Sequence, residues 1–582
     1  MKKLMMGNEA IARGAYEAGV KVATAYPGTP STEITEFLSG YDEIYSEWAP
    51  NEKVALEVAI GASFGGVRAM CSMKHVGLNV ASDPLFTVSY TGINAGLVIV
   101  VADDPGMHSS QNEQDSRHYA KAAKVPMLEP ADSSECLEFV KLAFDLSEEF
   151  DTPVMIRLTT RIAHSCSLAE TGTRKDIQDR PFVNDFNKYV MMPAMGRKRH
   201  IITEERMERL SGYVSDSDVN RIYDNKSRTG VITSGIAYQY AYEALGDSVS
   251  YLKLGFVYPL SGPLLRKFSA LTDRIYIIEE LDPFIEEAAI LAGVRDITGK
   301  QAFPLCGELS ASIVKEKISG MGPVIEKHAD APAIPVRPPV LCPGCPHRGV
   351  FYILKKLKLH VLGDIGCYTL AAMPPLEAMD TCICMGAGIG MLHGVEKAKG
   401  RDFMKKIVAV IGDSTFAHSG ITGLVDIAYN KGVSTVIILD NSITGMTGHQ
   451  DNPVTGKTLK GDTTVCLDIE KLCEAIGIKR VRICDPYETR EFEKIVREET
   501  ASMEPSVIIA KRPCALLKTS PGGKPYAVDP VLCRYCKVCL KIGCPAIADR
   551  GDKVEINNAL CTGCGLCASL CVFKAISRGE DR

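Results

Sequence analysis

The sequence predicts a multidomain α/β protein that ends in a small cysteine-rich module. Its 582 residues exceed the roughly 250 to 300 that one hydrophobic core usually holds, so several domains are expected. Short apolar runs with strand character alternate with helix-like segments, a pattern typical of parallel sheets. Eight of the 21 cysteines crowd into the last 50 residues. These observations predict domains over residues 1–195, 228–330, 338–522 and 526–582.

The composition excludes several classes of protein. With 46% hydrophobic and 24% charged residues the chain is typical of globular proteins, and a net charge of -5 gives no reason to expect nucleic acid or an anionic membrane as partner. No apolar run is long enough to span a bilayer, and Asn8 and Glu9 interrupt any signal-peptide core near the N terminus. We therefore expect a cytoplasmic protein whose clustered cysteines bind metal or carry out redox work instead of forming disulfides.

The first domain opens with a helix, a strand and a tight loop. Residues 7–19 predict a helix with Asn8 as its N-cap, and an apolar strand follows. The loop after this strand, residues 26–33, contains two prolines and a glycine, which favours a fixed turn facing a ligand. Residues 51–65 are alanine-rich with helical spacing and predict a helix that begins with Glu52.

Further along, a buried strand is predicted at residues 96–102, and the polar loop after it, residues 103–117, is long enough to suggest a functional role. Residues 170–228 are charge-rich and weakly periodic and are interpreted as a connecting excursion. The second α/β unit is predicted to contain strands at residues 230–234, 250–254 and 274–279 and a helix at 237–245. Five prolines between residues 328 and 344 predict a linker.

The third domain contains a βαβ unit with polar groups at both strand ends. Apolar runs at residues 407–411 and 435–439 flank a helix-like segment at residues 419–430. Asp413 follows the first run and Asn441 follows the second. Open parallel sheets bind their ligands at the carboxyl ends of strands, so these side chains are candidate ligand-binding groups.

The residue types suit a diphosphate held through Mg²⁺, which prefers oxygen ligands and phosphate oxygens. Asp413 would supply a carboxylate, Asn441 a side-chain carbonyl and Ile443 a backbone carbonyl, while Gly412 lets the chain approach the phosphates. The stretch resembles the Gly-Asp-Gly to Asn motif of thiamine diphosphate (ThDP) enzymes, with Ser414 where many members have glycine. The alternative is a generic Asp and Asn at the strand ends of any Rossmann-like sheet.

The tail contains two cysteine runs in tandem, each with three cysteines two residues apart and a fourth farther on. This pattern matches two-cluster bacterial ferredoxins, in which the fourth cysteine of each run ligates the other cluster. The predicted ligand sets are Cys533, Cys536, Cys539 and Cys571 for one 4Fe-4S cluster and Cys561, Cys564, Cys567 and Cys544 for the other. One extra residue before Cys544 requires a bulge. The alternative is a pair of zinc ribbons, whose spacing does not include such triple runs.

A further Cys-x-x-Cys pair, Cys342 and Cys345, lies at the start of the third domain. On its own this spacing is ambiguous between a redox dithiol, a zinc site and a cluster.

Taken together, the motifs resemble the α subunits of indolepyruvate:ferredoxin oxidoreductases, within the 2-oxoacid:ferredoxin oxidoreductase family, over essentially the whole chain. Besides the tail, the matching segments are YPGTPSTE (26–33), NEKVALEVAIGAS (51–63), LCPGCPHR (341–348), GDIGCYTL (363–370), DTCICMGAGIG (380–390), IGDSTFAHSGI (411–421) and LDNSITGMTGHQ (439–450). The resemblance implies a multidomain ThDP-binding fold with two ThDP-type α/β domains, a transketolase C-terminal-like α/β domain and a two-cluster ferredoxin-like module.

The resemblance also implies roles for individual residues. Glu52 would hydrogen-bond the aminopyrimidine of ThDP, favouring the imino tautomer that deprotonates thiazolium C2, and Thr29 would face substrate and cofactor. A third, proximal 4Fe-4S cluster would be held by Cys342, Cys345, Cys367 and Cys514. The implied cofactor-binding residues are Gly412, Asp413, Ser414, Asn441, Met446, Thr447, Cys367, Met385 and Gly386, with Mg²⁺ held by Asp413, Asn441 and Ile443.

By the same resemblance the chain would oxidatively decarboxylate aryl pyruvates such as indolepyruvate, with coenzyme A as co-substrate and ferredoxin as electron acceptor. No block of suitable length remains for an additional coenzyme A domain, which implies a smaller β subunit in an α2β2 assembly. The alternatives are another 2-oxoacid specificity, such as phenylpyruvate or a branched-chain oxoacid, a non-oxidative ThDP decarboxylase, and an electron-transfer subunit with inactive ThDP-like residues.

Overall fold

A computed structural model describes residues 1–320, 335, 337–518, 520 and 522–578. The chain divides into two compact units, residues 1–330 and residues 331–582. The predicted linker over residues 328–344 falls partly outside the described residues. Within the described part, no helix is both long and apolar enough to cross a membrane.

The first unit is built from fourteen strands and fourteen α-helices in its described residues. The strands are β1 (Lys2–Met6), β2 (Val22–Ala25), β3 (Tyr45–Trp48), β4 (Ala69–Lys74), β5 (Leu97–Asp103), β6 (Met127–Leu128), β7 (Val154–Thr159), β8 (Cys166–Glu170), β9 (Arg221–Tyr223), β10 (Thr229–Ser234), β11 (Ser250–Leu254), β12 (Phe256–Tyr258), β13 (Arg274–Ile278) and β14 (Ile297–Thr298). The helices are α1 (Gly7–Glu17), α2 (Thr32–Ser39), α3 (Glu52–Phe64), α4 (His75–Val80), α5 (Ser82–Thr91), α6 (Arg117–Ala123), α7 (Ser133–Phe150), α8 (Thr160–His164), α9 (Phe186–Tyr189), α10 (Pro193–Asp216), α11 (Gly235–Leu245), α12 (Gly262–Ser269), α13 (Phe284–Leu291) and α14 (Ala311–Ser319).

A seven-stranded sheet with the order β12-β6-β7-β5-β4-β2-β3 forms the centre of this unit. Its strands are parallel except β12, which pairs antiparallel with β6 at one edge. Strands β4, β5 and β7 are buried along their whole length, which explains why they read as continuous apolar runs. Because β12 belongs to the predicted 228–330 domain, this sheet draws strands from both predicted domains of the unit.

The second sheet of the unit has the order β14-β13-β10-β11-β9, with β9 as its one antiparallel strand. The strands predicted at residues 230–234, 250–254 and 274–279 are present as β10, β11 and β13, and the predicted helix is α11. β1 and β8 form a separate antiparallel pair.

Two sequence predictions in the first unit were wrong. The N-cap of α1 is Met6, and Asn8 lies inside the helix, where its amide donates to the carbonyl oxygen of Pro30 at 2.7 Å and to the carboxylate of Glu33 at 2.9 Å. The predicted excursion contains the 24-residue helix α10. Its periodicity is hidden because arginine and threonine occupy many of its buried positions, which are Arg199, Thr203, Arg206, Leu210 and Val214.

The second unit carries the predicted βαβ stretch and the tail. Its strands are β15 (His360–Leu362), β16 (Ile407–Gly412), β17 (Thr435–Asp440), β18 (Arg480–Cys484), β19 (Ser506–Lys511), β20 (Tyr526–Val528), β21 (Ile547–Asp549), β22 (Val554–Ile556) and β23 (Ile576–Arg578). Its helices are α15 (His347–Leu357), α16 (Ala387–Lys399), α17 (Asp413–Thr415), α18 (Ile421–Tyr429), α19 (Ile469–Ile476), α20 (Thr489–Ala501) and α21 (Leu566–Leu570), with 3₁₀ turns at Cys367–Ala372, Arg401–Lys406 and Val538–Ile542 and a π turn at Phe416–Gly420.

Five parallel strands in the order β15-β16-β17-β19-β18 form the main sheet of this unit. Strands β16 and β17 are neighbours in register, so the residues that follow them emerge side by side at the carboxyl edge. Apolar clusters cover both faces of the sheet. The tail adds two small antiparallel pairs, β20 with β23 and β21 with β22.

Candidate functional site

Three buried aspartates lie at the carboxyl edge of the five-stranded sheet. Asp364 follows β15, Asp413 follows β16 and Asp440 ends β17, and each is at most 4% exposed. The electrostatic effect of Asp440 raises the pKa of Asp413, so these two carboxylates lie close to each other. A parallel sheet thus brings carboxyl groups together at one edge, away from bulk water.

Asp413 is held in place by backbone N–H groups. Its carboxylate accepts hydrogen bonds from the N–H of Ser414 at 2.7 Å and of Ser442 at 2.9 Å, and the N–H of Ile443 also lowers its pKa. Burial, followed by the charge of Asp440, nevertheless raises the pKa of Asp413 to about 8. A divalent cation at this edge would offset the penalty on the charged form, and carboxylate oxygens suit Mg²⁺.

Gly412 lets an aromatic ring approach the end of β16. A Cβ at this position would come within 2.9 Å of Tyr368 Cε1. The N–H of Gly412 donates to the hydroxyl of Tyr368 at 2.9 Å, and that hydroxyl donates to the carbonyl oxygen of Ile365 at 3.1 Å. The glycine therefore links β16 to the turn that carries Cys367, through packing that a side chain would block.

The segment after β17 folds back onto the end of β16. The N–H of Thr444 donates to the carbonyl oxygen of Gln450 at 3.0 Å and closes the loop, and the hydroxyl of Thr444 donates to that of Ser414 at 3.0 Å. Thr447 donates to the side chain of Gln450 at 2.5 Å, whereas Met446 is half-exposed. Ser414 thus uses the hydroxyl that glycine would lack to fix this loop.

Gly386 connects the same edge to helix α16. Its φ of +87° favours glycine, and its N–H donates to the carboxylate of Asp364 at 2.7 Å. A Cβ on Gly386 would come within 2.6 Å of Ser419 Cβ, so the segment that includes Met385 packs closely on the π turn. Burial raises the pKa of Asp364 to about 7.

The four cysteines assigned to the proximal cluster lie together. The thiol of Cys345 is affected electrostatically by Cys367 and Cys342, that of Cys367 by Cys514 and Cys342, and that of Cys514 by Cys342. Burial raises the pKa of Cys345 to about 12 and that of Cys367 to about 11 in the metal-free chain. Residues from three distant segments are thereby brought into one thiol group.

The four cysteines Cys342, Cys345, Cys367 and Cys514 are called the proximal thiol group below. They border the sheet edge that carries Asp364, Asp413 and Asp440, which is called the aspartate edge. The N–H of Cys514 donates to the carbonyl oxygen of Asn441 at 2.9 Å, and Asp413 lies near enough to raise the pKa of the Cys514 thiol. A Cβ on Gly445 would lie 3.4 Å from Cys367 Sγ and 3.8 Å from the amide nitrogen of Asn441. Groups suited to Mg²⁺ and groups suited to iron are therefore adjacent.

The tail cysteines line two separate cavities. The first cavity is lined by Cys533, Cys536, Cys539 and Cys571. The second cavity is lined by Cys544, Cys561, Cys564 and Cys567. Each cavity thus combines three cysteines of one run with the fourth cysteine of the other. The extra residue before Cys544 is taken up by the 3₁₀ turn Val538–Ile542, which ends at Gly543 with φ +65°.

The loop between Cys342 and Cys345 reaches the second cavity through Gly344. The N–H of Gly344 is hydrogen-bonded to Cys544, and its carbonyl oxygen accepts from the Tyr487 hydroxyl at 2.6 Å. A Cβ on Gly344, whose φ is +70°, would come within 2.3 Å of Thr562 Oγ1. The proximal thiol group and the second cavity are therefore separated by one glycine turn.

Arg348 is buried at the same junction. Its guanidinium donates to the carbonyl oxygens of Leu341, Cys342 at 3.1 Å and Ile542 at 2.8 Å, and no carboxylate pairs with it among the described residues. Burial lowers its pKa, and the thiols of Cys544 and other cysteines oppose that effect. A buried cation without a carboxylate needs a nearby anion, and a thiolate-bound cluster would supply one.

Among the described residues, no three cysteine sulfurs lie within 4.8 Å of one another. Tetrahedral zinc with Zn–S bonds of about 2.3 Å holds its sulfurs about 3.8 Å apart. In the described part of the chain, the one group of three or more His, Cys, Asp or Glu ligand atoms within 4.8 Å of one another is Asp115, His118 and Asp282, which contains no cysteine.

In the first unit, Glu52 and Thr29 lie at the carboxyl edge of the seven-stranded sheet. Glu52 is the first residue of α3 and is 5% exposed. A Cβ on Gly77 would come within 2.5 Å of Glu52 Oε1, so this glycine makes room for the carboxylate. The carbonyl oxygen of Thr29 accepts from the hydroxyl of Ser109, which lies in the long polar loop. The long polar loop of residues 103–117, for which the sequence suggests a functional role, thus contacts the turn that carries Thr29.

Comparison with known proteins shows the family. Residues 13–228 match the family described as pyruvate flavodoxin/ferredoxin oxidoreductase, thiamine diP-bdg, and residues 364–510 match the thiamine pyrophosphate enzyme C-terminal TPP-binding domain. Indolepyruvate oxidoreductase subunit IorA of Archaeoglobus fulgidus is 40% identical over 100% of this chain and 98% of its own length. The chain belongs to the IorA family.

Other relatives share less of the chain. IorA of Methanothermobacter thermautotrophicus is also 40% identical, over 99% of this chain and 97% of its own length. The 2-oxoglutarate synthase subunit KorA of Methanothermobacter marburgensis is 30% identical over 33% of this chain and 56% of its own length. Among solved structures, 2-oxoglutarate:ferredoxin oxidoreductase from Magnetococcus marinus has a TM-score of 0.45 at 14% identity, covering 55% of this chain and 65% of its own.

Membership of the IorA family confirms the predicted fold class, a multidomain α/β ThDP-binding fold with a cysteine-rich tail. It also makes the chain a ThDP-dependent oxidoreductase subunit of the 2-oxoacid type. The relatives are named as subunits, which indicates an enzyme of more than one kind of chain.

Sequence reasoning missed three side chains near the aspartate edge and the proximal thiol group. Asp364 and Tyr368 lie within the GDIGCYTL segment, and Arg348 lies within LCPGCPHR. Their positions in the sequence could have pointed to them. Asp364 follows a strand, Tyr368 is next to Cys367, and Arg348 comes three residues after Cys345. His347, in the same segment, is fully buried against the edge of Tyr368, and burial lowers its pKa to about 4, so it is neutral near pH 7.

Proposed function

We propose that this chain is the catalytic α subunit of an enzyme that oxidatively decarboxylates aryl pyruvates, with indolepyruvate as the model substrate, to aryl-acetyl-CoA and CO₂. Ferredoxin takes the electrons. The observation that carries the proposal is the continuous arrangement of a buried aspartate edge, the proximal thiol group and the second cavity within one unit. A non-oxidative decarboxylase has no use for thiol groups placed beside its diphosphate site.

The residues at the aspartate edge fit ThDP and Mg²⁺. Asp413, Asn441 and Ile443 would hold the metal, and the loop closed by Thr444 and Gln450 would cover the diphosphate. Bound there, ThDP would supply a carbon nucleophile for the oxo carbon and an acceptor for the electrons left when CO₂ departs. Glu52 is buried, and its carboxylate would exchange a proton with the aminopyrimidine and so set the tautomer.

The order of the thiol groups supports an electron route. The proximal thiol group borders Asp413, Gly344 joins it to the second cavity, and the first cavity is lined by tail residues alone. Three 4Fe-4S clusters in these positions would carry electrons one at a time from the cofactor toward the protein surface. Cys536, in the first cavity, is exposed, which suits transfer to an external ferredoxin there.

The proposed substrate and partners are inferred from the relatives. Proteins that share nearly their full length with this chain are named for indolepyruvate, so an aryl pyruvate is favoured over phenylpyruvate or branched-chain oxoacids. Coenzyme A as acyl acceptor and a smaller β subunit in an α2β2 assembly complete the proposal.

The test is an anaerobic assay with the chain co-purified with its partner. The mixture contains ThDP, Mg²⁺, coenzyme A and indolepyruvate, and reduction of a low-potential dye is followed. Reduction that requires both ThDP and coenzyme A supports the oxidoreductase. Release of CO₂ without dye reduction would instead indicate the non-oxidative decarboxylase.

Glu52→Gln sharpens this assay. Glutamine cannot exchange a proton with the aminopyrimidine, so kcat should fall about 100- to 10,000-fold, the range for losing a general acid-base group. Glu57→Gln on the exposed side of the same helix is the matched control and should keep wild-type turnover. Wild-type kcat in Glu52→Gln would remove Glu52 from the site.

A further inference from the structure

Lys74 is a buried lysine that the proposed chemistry leaves without a role. It is the last residue of β4 and is 8% exposed. Its ammonium group donates to the carbonyl oxygen of Ser109 at 2.7 Å and to the Ser109 hydroxyl at 3.3 Å. Within the described residues no carboxylate lies at ion-pair distance, although Asp104 is near enough to favour the charged form.

The acid nearest to Lys74 is already engaged. The carboxylate of Asp104 accepts from the N–H of Ser109 at 2.8 Å, from the hydroxyl of Ser110 at 2.6 Å and from that of Thr160 at 2.6 Å. These bonds lower the pKa of Asp104, whereas burial lowers the pKa of Lys74 to about 8. An ammonium group has three donors, so Lys74 retains capacity for an anion that is not part of the chain.

Lys74 lies beside both residues assigned to catalysis in the first unit. A Cβ on Gly28 would be 3.2 Å from Lys74 Cβ, so the lysine packs under the turn that carries Thr29. Ser109, its hydrogen-bond partner, donates to the carbonyl oxygen of Thr29 at 3.0 Å. Helix α4, which starts directly after Lys74, provides the Gly77 that abuts Glu52.

We propose that Lys74 binds the carboxylate of the 2-oxoacid substrate and thereby selects 2-oxo acids over uncharged carbonyl compounds. This inference rests on the proposed function. An oxoacid brings one negative charge into the site, and Lys74 is a desolvated cation at the sheet edge that carries Thr29 and Glu52. The polar loop of residues 103–117 holds the ammonium group in place through Ser109.

Three substitutions separate the positive charge of Lys74 from its hydrogen bond to the Ser109 carbonyl. Lys74→Met removes the charge and the hydrogen bond, Lys74→Gln keeps a donor for that carbonyl, and Lys74→Arg keeps the charge. Losing one charged hydrogen bond should raise KM for indolepyruvate about 10- to 100-fold in the Met and Gln variants, with a smaller change in kcat. Arginine should restore most of the affinity. Lys3→Met, at an exposed lysine paired with Glu9, is the matched control.

A second readout does not need turnover. Calorimetry on the co-purified complex would measure binding of indole-3-propionate, a carboxylate without an oxo group, and of its uncharged amide. Wild-type protein should prefer the acid, and Lys74→Met should lose that preference while ThDP affinity stays unchanged.

The outcomes are distinct for the two proposals. Equal KM and equal carboxylate binding in wild type and Lys74→Met would overturn the role of Lys74, as would full rescue by glutamine, which indicates only a loop contact. Absence of turnover on every oxoacid, with Lys74-dependent carboxylate binding intact, would overturn the proposed function and leave the carboxylate site standing.

Discussion

The aspartate edge and the tail are built in opposite ways. Asp413 stands at the end of a fully buried strand, between two apolar clusters that cover the sheet. The tail has a small core, whose buried members are Ile542, Ile556, Leu566, Cys567 and Ile576 together with Tyr487 of the sheet region. Its cysteines surround the two cavities. The first site is formed by the fold, whereas the tail, with the proposed clusters bound, would depend on them for its stability.

Removing iron should therefore have the largest structural effect, and it should be confined to the tail. With the cavities empty, amide protection over residues 526–578 should fall at least about 100-fold, because metal binding and folding are coupled in small cores. Protection over residues 407–412 and 435–440 should remain. Anaerobic hydrogen exchange before and after chelation measures both, and an unchanged tail would contradict the comparison.

Asp413→Ala should affect the preformed site without unfolding it. ThDP and Mg²⁺ affinities should fall together by about 100-fold, since both depend on one coordination shell. Asp468→Ala, at an exposed helix N-cap in the same unit, is the matched control for cofactor binding. Independent changes in the two affinities would argue against a shared site.

The pH dependence of Mg²⁺ binding gives a finer check on the role of Asp413. Because the pKa of Asp413 is raised to about 8, protons compete with Mg²⁺ below that pH, and Mg²⁺ affinity of the wild type should weaken as pH falls from 8 to 6. Asp413→Asn should lose this dependence. An identical pH profile in the variant would assign the effect to another group.

Cys514→Ala tests whether the proximal thiol group behaves like the edge or like the tail. Iron per chain should fall by one cluster, and the two tail clusters should keep their spectroscopic signals because Cys514 lines neither cavity. Cys473→Ala, at a buried cysteine remote from these groups, is the control. Unaltered iron content would make Cys514 an ordinary core cysteine.

Tyr368→Phe should have the smallest effect. It leaves the ring against Gly412 but removes the acceptor for the Gly412 N–H, which costs about 1 to 3 kcal/mol when such a group is buried. Thermal unfolding of the second unit should shift down by a few degrees, with cluster content unchanged. Tyr429→Phe, at an exposed tyrosine, is the control.

Residues that follow strong patterns could be predicted from the sequence. Asp413 and Asn441 could be placed at the sheet edge because apolar strands end just before them. The tail cysteines could be sorted into two groups because their spacing follows the two-cluster ferredoxin pattern. Asn8 was misplaced because the sequence shows its helix-capping propensity and not the contact with Pro30 and Glu33. Long-range pairing of that kind follows from tertiary structure alone.

Other site residues have no local signature. Arg348 and Lys74 are single basic residues whose importance lies in being buried with no carboxylate partner among the described residues, which becomes visible once the chain is folded. Helix α10 was missed because arginines take the positions that apolar residues usually hold.

The glycine turn at Gly344 also bears on how the tail folds. The second cavity is walled by tail residues and by Pro343, Gly344 and Tyr487 of the sheet region. A cluster bound there would be enclosed by both parts of the unit. Folding of the tail and its contact with the sheet region would then both be coupled to cluster binding.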